Sequence, residues 1–149
     1  MITPLAFFIL DLILVCAVLL KYTLRSRRRS RELRELATSW GMHYSPSDQL
    51  RLANRIAGKL PMPGAANVRV RDVMFYMDDQ LHRYLFTTEY SVGIIRGKSG
   101  RAAVTGFAEP IARGASAGPA QLVIAPYDLP LPQAYELVRD ALAQPAAHE

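Results

Sequence analysis

The sequence predicts an α+β fold: an N-terminal single transmembrane helix, then a small antiparallel sheet packed with two or three helices. Three observations predict it. A dense apolar run fills residues 2–20, which is about the length that crosses the hydrocarbon core of a bilayer. Apolar residues at helical spacing follow the run, and then come about five strand-like segments joined mostly by short turns. Short turns join antiparallel neighbours, which favours a sheet with helices on one face.

The apolar run is predicted to be an uncleaved transmembrane anchor within residues 1–22. Its leucine, isoleucine, phenylalanine and valine side chains favour insertion by roughly 4 to 8 kcal/mol in total, whereas Asp11 near the centre costs roughly 2.5 to 3.5 kcal/mol. A cleaved signal peptide needs positive charge before the run and a small-residue site after it. No Lys or Arg precedes this run, and Leu19-Leu20-Lys21 follows it.

Asp11 is the charged residue inside the run, and it has two interpretations. Intramembrane carboxylates usually face other protein groups, so Asp11 is a candidate for a contact with a partner helix. The alternative is a carboxyl group that a strongly apolar anchor simply tolerates. Residues one helical turn away are apolar, so no side chain on the same helix can pair with it.

The net charge of +5 is concentrated directly after the anchor, because residues 21–35 carry seven basic and two acidic side chains. An excess of Lys and Arg on one side of a span marks the cytoplasmic side and attracts anionic headgroups. We therefore expect the N-terminus outside, the C-terminal domain cytoplasmic at the inner (plasma) membrane, and these candidate topology and headgroup residues: Lys21, Arg25, Arg27, Arg28, Arg29, Arg31 and Arg34.

Residues 23–41 are predicted to form a basic juxtamembrane helix that continues the anchor. No Pro or Gly occurs between Pro4 and Gly41, and Gly41 is a typical helix end. One face of this helix is apolar at the spacing i, i+3, i+4, i+7, and it consists of Leu33, Leu36, Ala37 and Trp40.

The remaining chain is predicted to be a small cytoplasmic domain, residues 42–144, with a tail at 145–149. Ser45-Pro-Ser-Asp48 has helix-start chemistry, and apolar residues recur at helical spacing up to Leu60. A last amphipathic helix spans residues 131–142, where apolar residues again follow helical spacing.

The strands are predicted between these helices. Residues 67–77 alternate with a phase shift that indicates a β-bulge near Arg71-Asp72. A turn at residues 78–80 leads to an aromatic strand at 81–90, and residues 92–95 and 101–107 form a second hairpin candidate. A small-residue loop spans 109–119, and a buried strand follows at 121–125.

No catalytic, cofactor or metal site is predicted. Gly114-Ala-Ser-Ala-Gly118 matches the G-x-S-x-G nucleophile pattern, but a strand follows it in place of the required helix. The single cysteine, Cys16, lies in the apolar run, and the three histidines lack metal-ligand spacing. Asp78-Asp79 is interpreted as a solvated turn, because a metal would need further oxygen ligands nearby.

Nucleic acid is disfavoured as a partner, because residues 36–149 carry a net charge of only +1. Gly97-Lys-Ser-Gly100 resembles the GXXG loop of the KH RNA-binding module, but Val104-Thr-Gly-Phe107 after it is not a helix start. The aromatic residues Tyr84, Phe86 and Tyr90 lie on one strand face, which is interpreted as core.

The expected function is a non-enzymatic, membrane-tethered interaction module, assumed to be bacterial, that binds a protein partner at the cytoplasmic face. The alternative is a membrane-localised RNA- or nucleotide-binding domain that uses Arg96, Lys98, Arg101 and the aromatic strand.

Overall fold

The computed structural model describes residues 4–60, 65–92, 100–111 and 119–143. The tail at 145–149, the G-x-S-x-G segment and most of the Gly97-Lys-Ser-Gly100 segment lie outside these residues. The elements in chain order are α1 (Pro4–Ser39), β1 (His43–Ser47), α2 (Leu52–Ile56), β2 (Ala65–Met77), β3 (Leu81–Val92), β4 (Gly100–Pro110), β5 (Gln121–Ile124) and α3 (Leu131–Ala143).

Helix α1 is continuous over 36 residues, a length of about 54 Å at the usual rise per residue. Its N-terminal half is long and apolar enough to cross a membrane, and none of this apolar stretch is buried against other described parts of the chain. The last helical residue is Ser39, and the predicted stop, Gly41, follows in the left-handed conformation with a φ of 67°. There the Met42 N–H donates to the Ala37 carbonyl at 2.8 Å and the Gly41 N–H donates to the Thr38 carbonyl at 3.1 Å, the paired bonds of a Schellman cap.

The sheet is an antiparallel meander with the strand order β1-β2-β3-β4-β5. The β2–β3 hairpin confirms the predicted turn at residues 78–80, because Asp78 Oδ1 accepts hydrogen bonds from the Gln80 and Leu81 N–H groups at 2.8 and 2.6 Å. These two backbone donors lower the pKa of the Asp78 carboxyl. The turn is therefore held by its own side chain.

The sheet is buried on both faces, whereas the sequence predicted helices on one face only. One face packs against α1 and α3 through residues such as Leu33, Leu85 and Val138. The other face packs against α2 and includes Tyr84 and Phe107. The sequence did not predict this second layer because α2 has only five residues. So few residues do not show by their spacing which side of the helix is buried.

Helix α3 packs closely on β4 because Gly106 has no side chain. A Cβ atom at this position would lie 2.3 Å from Cγ1 of Val138 and 2.7 Å from Cδ1 of Leu142. Such distances are far inside van der Waals contact. Gly106 therefore sets how near the final helix can approach the sheet.

The segment 45–60 differs from its prediction. Ser45 belongs to β1, opposite Val73, because pairing with β2 outweighs the local helix-start pattern. The N-cap residue is Arg51 and not Ser45 or Asp48, but the Asp48 carboxylate still satisfies the start of the helix: its Oδ1 accepts from the Leu52 N–H at 2.7 Å and its Oδ2 from the Ala53 N–H at 2.9 Å. The helix itself, however, is far shorter than the spacing up to Leu60 predicted.

The second hairpin is also longer than predicted, because β3 continues without a break to Val92. It pairs with β4 along its length, from Leu81 opposite Pro110 to Ser91 opposite Gly100. Residues 93–95, the rest of the predicted 92–95 strand, lie outside the described ranges.

The predicted bulge in β2 is confirmed. The register with β3 shifts between Arg71 and Met74, and Asp72 between them has a φ of 53°. This left-handed conformation is uncommon outside glycine, and aspartate tolerates it better than most residues. The bulge turns Asp72 out of the ladder, where it reaches the helix–sheet junction.

Candidate functional site at the helix–domain junction

Asp72 is the centre of a buried polar cluster that joins α1 to the domain, and only 7% of the residue is exposed. Its Oδ2 accepts from Nη2 of Arg29 on α1 at 2.8 Å. Its Oδ1 accepts from the Tyr44 hydroxyl on β1 at 2.8 Å, and its backbone carbonyl accepts from the Tyr135 hydroxyl on α3 at 2.8 Å. One bulge residue thus bonds to three other elements.

Thr87 on β3 closes the cluster. Its Oγ1 lies 3.0 Å from the Tyr135 hydroxyl and accepts from Arg29 Nη2 at 3.4 Å. Since the Tyr135 hydroxyl donates its proton to Asp72, the Thr87 hydroxyl is the donor to Tyr135. The hydrogen bonds therefore run in one direction, from Arg29 through Thr87 and Tyr135 to the Asp72 carbonyl.

Both tyrosines in the cluster are held in the neutral form. Burial is the main cause that raises the pKa of Tyr44 to about 12, and a hydrogen bond with Ser30 partly opposes this rise. Burial likewise raises the pKa of the fully enclosed Tyr135. Because Asp72 bonds to three other elements and both tyrosines stay protonated at neutral pH, the cluster is suited to holding these elements together.

A hollow of about 250 Å³ opens beside this cluster, between α1 and the β1–β2 edge. Tyr22, Arg25 and Arg29 line it from the helix, and Arg71 and Asp72 line it from the bulge. Three arginines and one aspartate among its lining residues give a net formal charge of +2. Arg71 also pairs with Glu89 outside the lining, which lowers the local formal charge to +1 and still leaves the hollow positive.

Five of the seven predicted headgroup and topology residues fall into two groups in the structure. Arg25 and Arg29 face the hollow, where they meet Arg71 from the domain. Arg27, Arg28 and Arg31 line a different depression together with two glutamates. Arg28 pairs there with Glu32 at 3.1 Å.

The other two predicted basic residues, Lys21 and Arg34, are exposed. The guanidinium carbon of Arg34 lies 5.7 Å from the centroid of the Tyr44 ring, within reach of a cation–π contact. Asp11 is exposed on α1, far along the chain from the junction.

Sequence reasoning did not identify the Arg29–Asp72 pair, nor Tyr44, Tyr135 and Thr87 as its partners. A signal for Arg29 was present: it lies four residues before Leu33, the first residue of the predicted apolar face. Extending that face by one turn places Arg29 toward the domain. No sequence signal identified its partners, because these are brought together only by the sheet and the final helix.

The features that favoured nucleic acid are not assembled in the described part of the chain. Tyr84, Phe86 and Tyr90 are buried, at 4% exposure or less, which confirms the core interpretation. Arg96, Lys98 and the Arg101 side chain lie outside the described residues. No group of three His, Cys, Asp or Glu suited to a metal ion occurs among the residues that are described.

No protein-family model matches this chain, and comparison with curated proteins and with solved structures finds no match. The function is therefore inferred from the residues and the geometry of the chain itself.

Proposed function

We propose that this chain is a single-pass membrane protein whose domain is a non-enzymatic interaction module at the cytoplasmic face of the inner membrane. The observation that carries the proposal is the structure of α1. One half of this helix presents exposed side chains that are apolar apart from a few residues such as Asp11, and the other half is built into the domain core through Leu33 and Ala37. A protein held in this way keeps its domain at a set distance from the span.

The exposure of the apolar half supports membrane insertion. Its large side chains from Leu5 to Leu24 are 48–67% exposed. Soluble proteins rarely leave a continuous apolar surface larger than a few hundred Å² in water. A bilayer would cover this surface, and the hydrogen bonds of a continuous helix satisfy its backbone inside the hydrocarbon.

The orientation is supported by the position of the basic residues. All seven Lys and Arg of the flank follow the span and none precedes it, as the positive-inside rule requires of a cytoplasmic C-terminus. The same residues place positive charge beside anionic lipid headgroups.

The interaction role is supported by the junction. The tight Arg29–Asp72 cluster fixes the domain on its helix, which suits a module that presents a surface at a defined height. Tyr76 and Met77 at the end of β2 are both exposed, with 43% and 42% of their surface accessible, and as neighbours on a strand they point to opposite faces. Exposed aromatic and methionine side chains are enriched where proteins contact a partner.

Orientation is tested with a single engineered cysteine. The native Cys16 is replaced by Ser, and the exposed turn residue Asp79 by Cys. A membrane-impermeant maleimide added to intact spheroplasts should label this variant only after lysis. Labelling before lysis would show that the domain lies outside.

Partner binding is tested with the full chain, purified from membranes in mild detergent after chemical crosslinking. A protein crosslinked to the wild type should be lost from the double variant Tyr76→Ser, Met77→Ser, and retained by the matched control Gln80→Ser at the same hairpin. Recovery of RNA by a salt-sensitive interaction would favour the nucleic-acid alternative instead.

A further inference from the structure

We propose that the hollow between α1 and the β1–β2 edge is a binding site for the phosphate group of an anionic phospholipid. The inference deepens the proposed function, since it requires the apolar half of α1 to lie in a membrane. The proposed function needs only a general attraction between the basic flank and anionic lipids. The hollow is a more specific site, because Arg71 of the domain lines it together with residues of α1.

The first step is the position of the hollow along the helix. Tyr22 and Arg25 lie about 3 and 7.5 Å beyond Leu20 along the axis, at the usual helical rise. The headgroup layer extends roughly 5 to 8 Å from each side of the hydrocarbon core. The hollow therefore begins at the level of lipid phosphates, and Tyr22 stands where interfacial aromatic residues concentrate.

The second step is the chemistry of the lining. Guanidinium groups bind phosphate oxygens through paired N–H donors, which is the geometry arginine supplies best. Arg25 forms no ion pair with any described residue, so its donors are available to a ligand. Arg71 is 44% exposed and shares only part of its donor set with Glu89.

The third step is the local balance of charge. Asp72 is the carboxylate that faces an incoming anion, and its two oxygens already accept from Arg29 and Tyr44. This pairing reduces its repulsion of a phosphate. The Nε of Arg29 is buried without a hydrogen-bond partner, so its guanidinium is not fully satisfied by Asp72 and adds to the positive potential.

The fourth step is size. A hollow of about 250 Å³ is smaller than the sites of roughly 300–1,000 Å³ that enclose drug-sized ligands. It suits a phosphate and its small alcohol, with the acyl chains left beside the apolar part of α1. A lipid is thus favoured over a free nucleotide.

The test compares two arginines that are two positions apart on one helix. Arg25 lines the hollow, whereas Arg27 lines the depression on another side of α1. Arg25→Gln and Arg27→Gln remove the same charge from exposed positions. The full chain in a neutral detergent is titrated with short-chain phosphatidylglycerol, and bound lipid is counted by native mass spectrometry.

We expect Arg25→Gln and Arg71→Gln each to weaken lipid binding by about tenfold or more, the usual effect of losing a charge-assisted hydrogen bond, and Arg27→Gln to leave it within about twofold. Equal losses for Arg25→Gln and Arg27→Gln would overturn the site. If Arg71→Gln unfolds, as judged by Trp40 fluorescence, the comparison of Arg25 with Arg27 still decides.

Two further arms identify the source of the phosphate. Phosphatidylcholine of the same chain length should bind more weakly, because its headgroup is zwitterionic and its choline cation is repelled by the arginines of the hollow. Inorganic phosphate at equal concentration should not displace phosphatidylglycerol, and displacement would overturn the lipid assignment. Binding in detergent does not depend on orientation, whereas maleimide labelling does, so a failure of this inference is distinguishable from a failure of the proposed topology.

Discussion

Replacing Asp72 with Asn is expected to loosen the attachment of the domain to α1. Asparagine has nearly the same shape and tolerates the left-handed backbone that the bulge requires. The substitution therefore removes the negative charge and replaces one of the two accepting oxygens by an NH2 donor. Arg29 is left facing a neutral amide at the place where it now bonds Oδ2 at 2.8 Å.

The expected magnitude follows from burial. Removing one partner of a fully buried ion pair costs roughly 3–5 kcal/mol, whereas exposed pairs contribute about 0–1 kcal/mol. The Arg29 side chain is 33% exposed and that of Asp72 is 10% exposed, so solvent screens this pair in part. We expect a loss of roughly 1–3 kcal/mol in the free energy of unfolding, a large share of the 5–15 kcal/mol typical of domains.

A double-mutant cycle separates the ion pair from other effects. Arg29→Gln is made alone and together with Asp72→Asn, and the coupling energy is expected at about 1–2 kcal/mol. Asp79→Asn is the matched control, since it makes the same chemical change at an exposed turn. It should alter stability by no more than about 0.5 kcal/mol.

The assay uses the single tryptophan of the chain. Trp40 is half-buried at the end of α1, with the Arg139 guanidinium carbon 4.4 Å from its ring centroid. Its fluorescence should therefore report separation of the helix from the domain as urea is added to the full chain in a neutral detergent. An Asp72→Asn midpoint equal to that of Asp79→Asn, or a coupling energy below about 0.5 kcal/mol, would contradict a structural role for the pair.

Two other predictions use the same measurement. Gly106→Ala should destabilise the domain by about 1–3 kcal/mol, the usual cost of overpacking, because the added Cβ would lie 2.3 Å from Val138 Cγ1. Gly58→Ala is the control and should not destabilise the domain, because open space surrounds its Cβ position. Equal midpoints for the two variants would contradict this account. Raising the pH should lower stability from about pH 10 to pH 12, because the neutral form of Tyr44 is favoured in the folded state, where its pKa is about 12 against an ordinary 10.0. Tyr44→Phe should reduce this fall, and an unchanged pH profile would refute the assignment.

The fold class and most of the elements were predictable because their signals are local. The continuous helix through residues 4–39, its end at Gly41 and the bulge at Asp72 each follow from residue spacing or from one residue's backbone preference. The strand at 43–47 was missed because Ser45-Pro-Ser-Asp48 satisfies helix-start chemistry locally. Only pairing with β2, some 28 residues away, selects the extended form.

The candidate site was predictable only in part. The sequence indicated seven basic residues after the predicted span. It did not show which of them face the domain, because charge alone does not tell on which side of a helix a residue lies. Which way each residue faces depends on its angular position around the helix and on the part of the domain that packs opposite it. Asp72, Tyr44 and Tyr135 belong to three different elements, and no local pattern connects residues so far apart in the chain.

Helical phase divides the basic flank by role. Residues 25 and 29 differ by about 40° around the axis, whereas residues 25 and 27 differ by about 160°. The first two face the domain, and the third faces away. If the positive charge of the flank directs insertion, Arg27, Arg28 and Arg31 can supply it, because they line a depression on a side of α1 away from the hollow. Arg29 forms the ion pair with Asp72, so replacing it should lower the urea midpoint of the domain more than it changes maleimide labelling of the engineered cysteine. Replacing Arg27 should do the reverse.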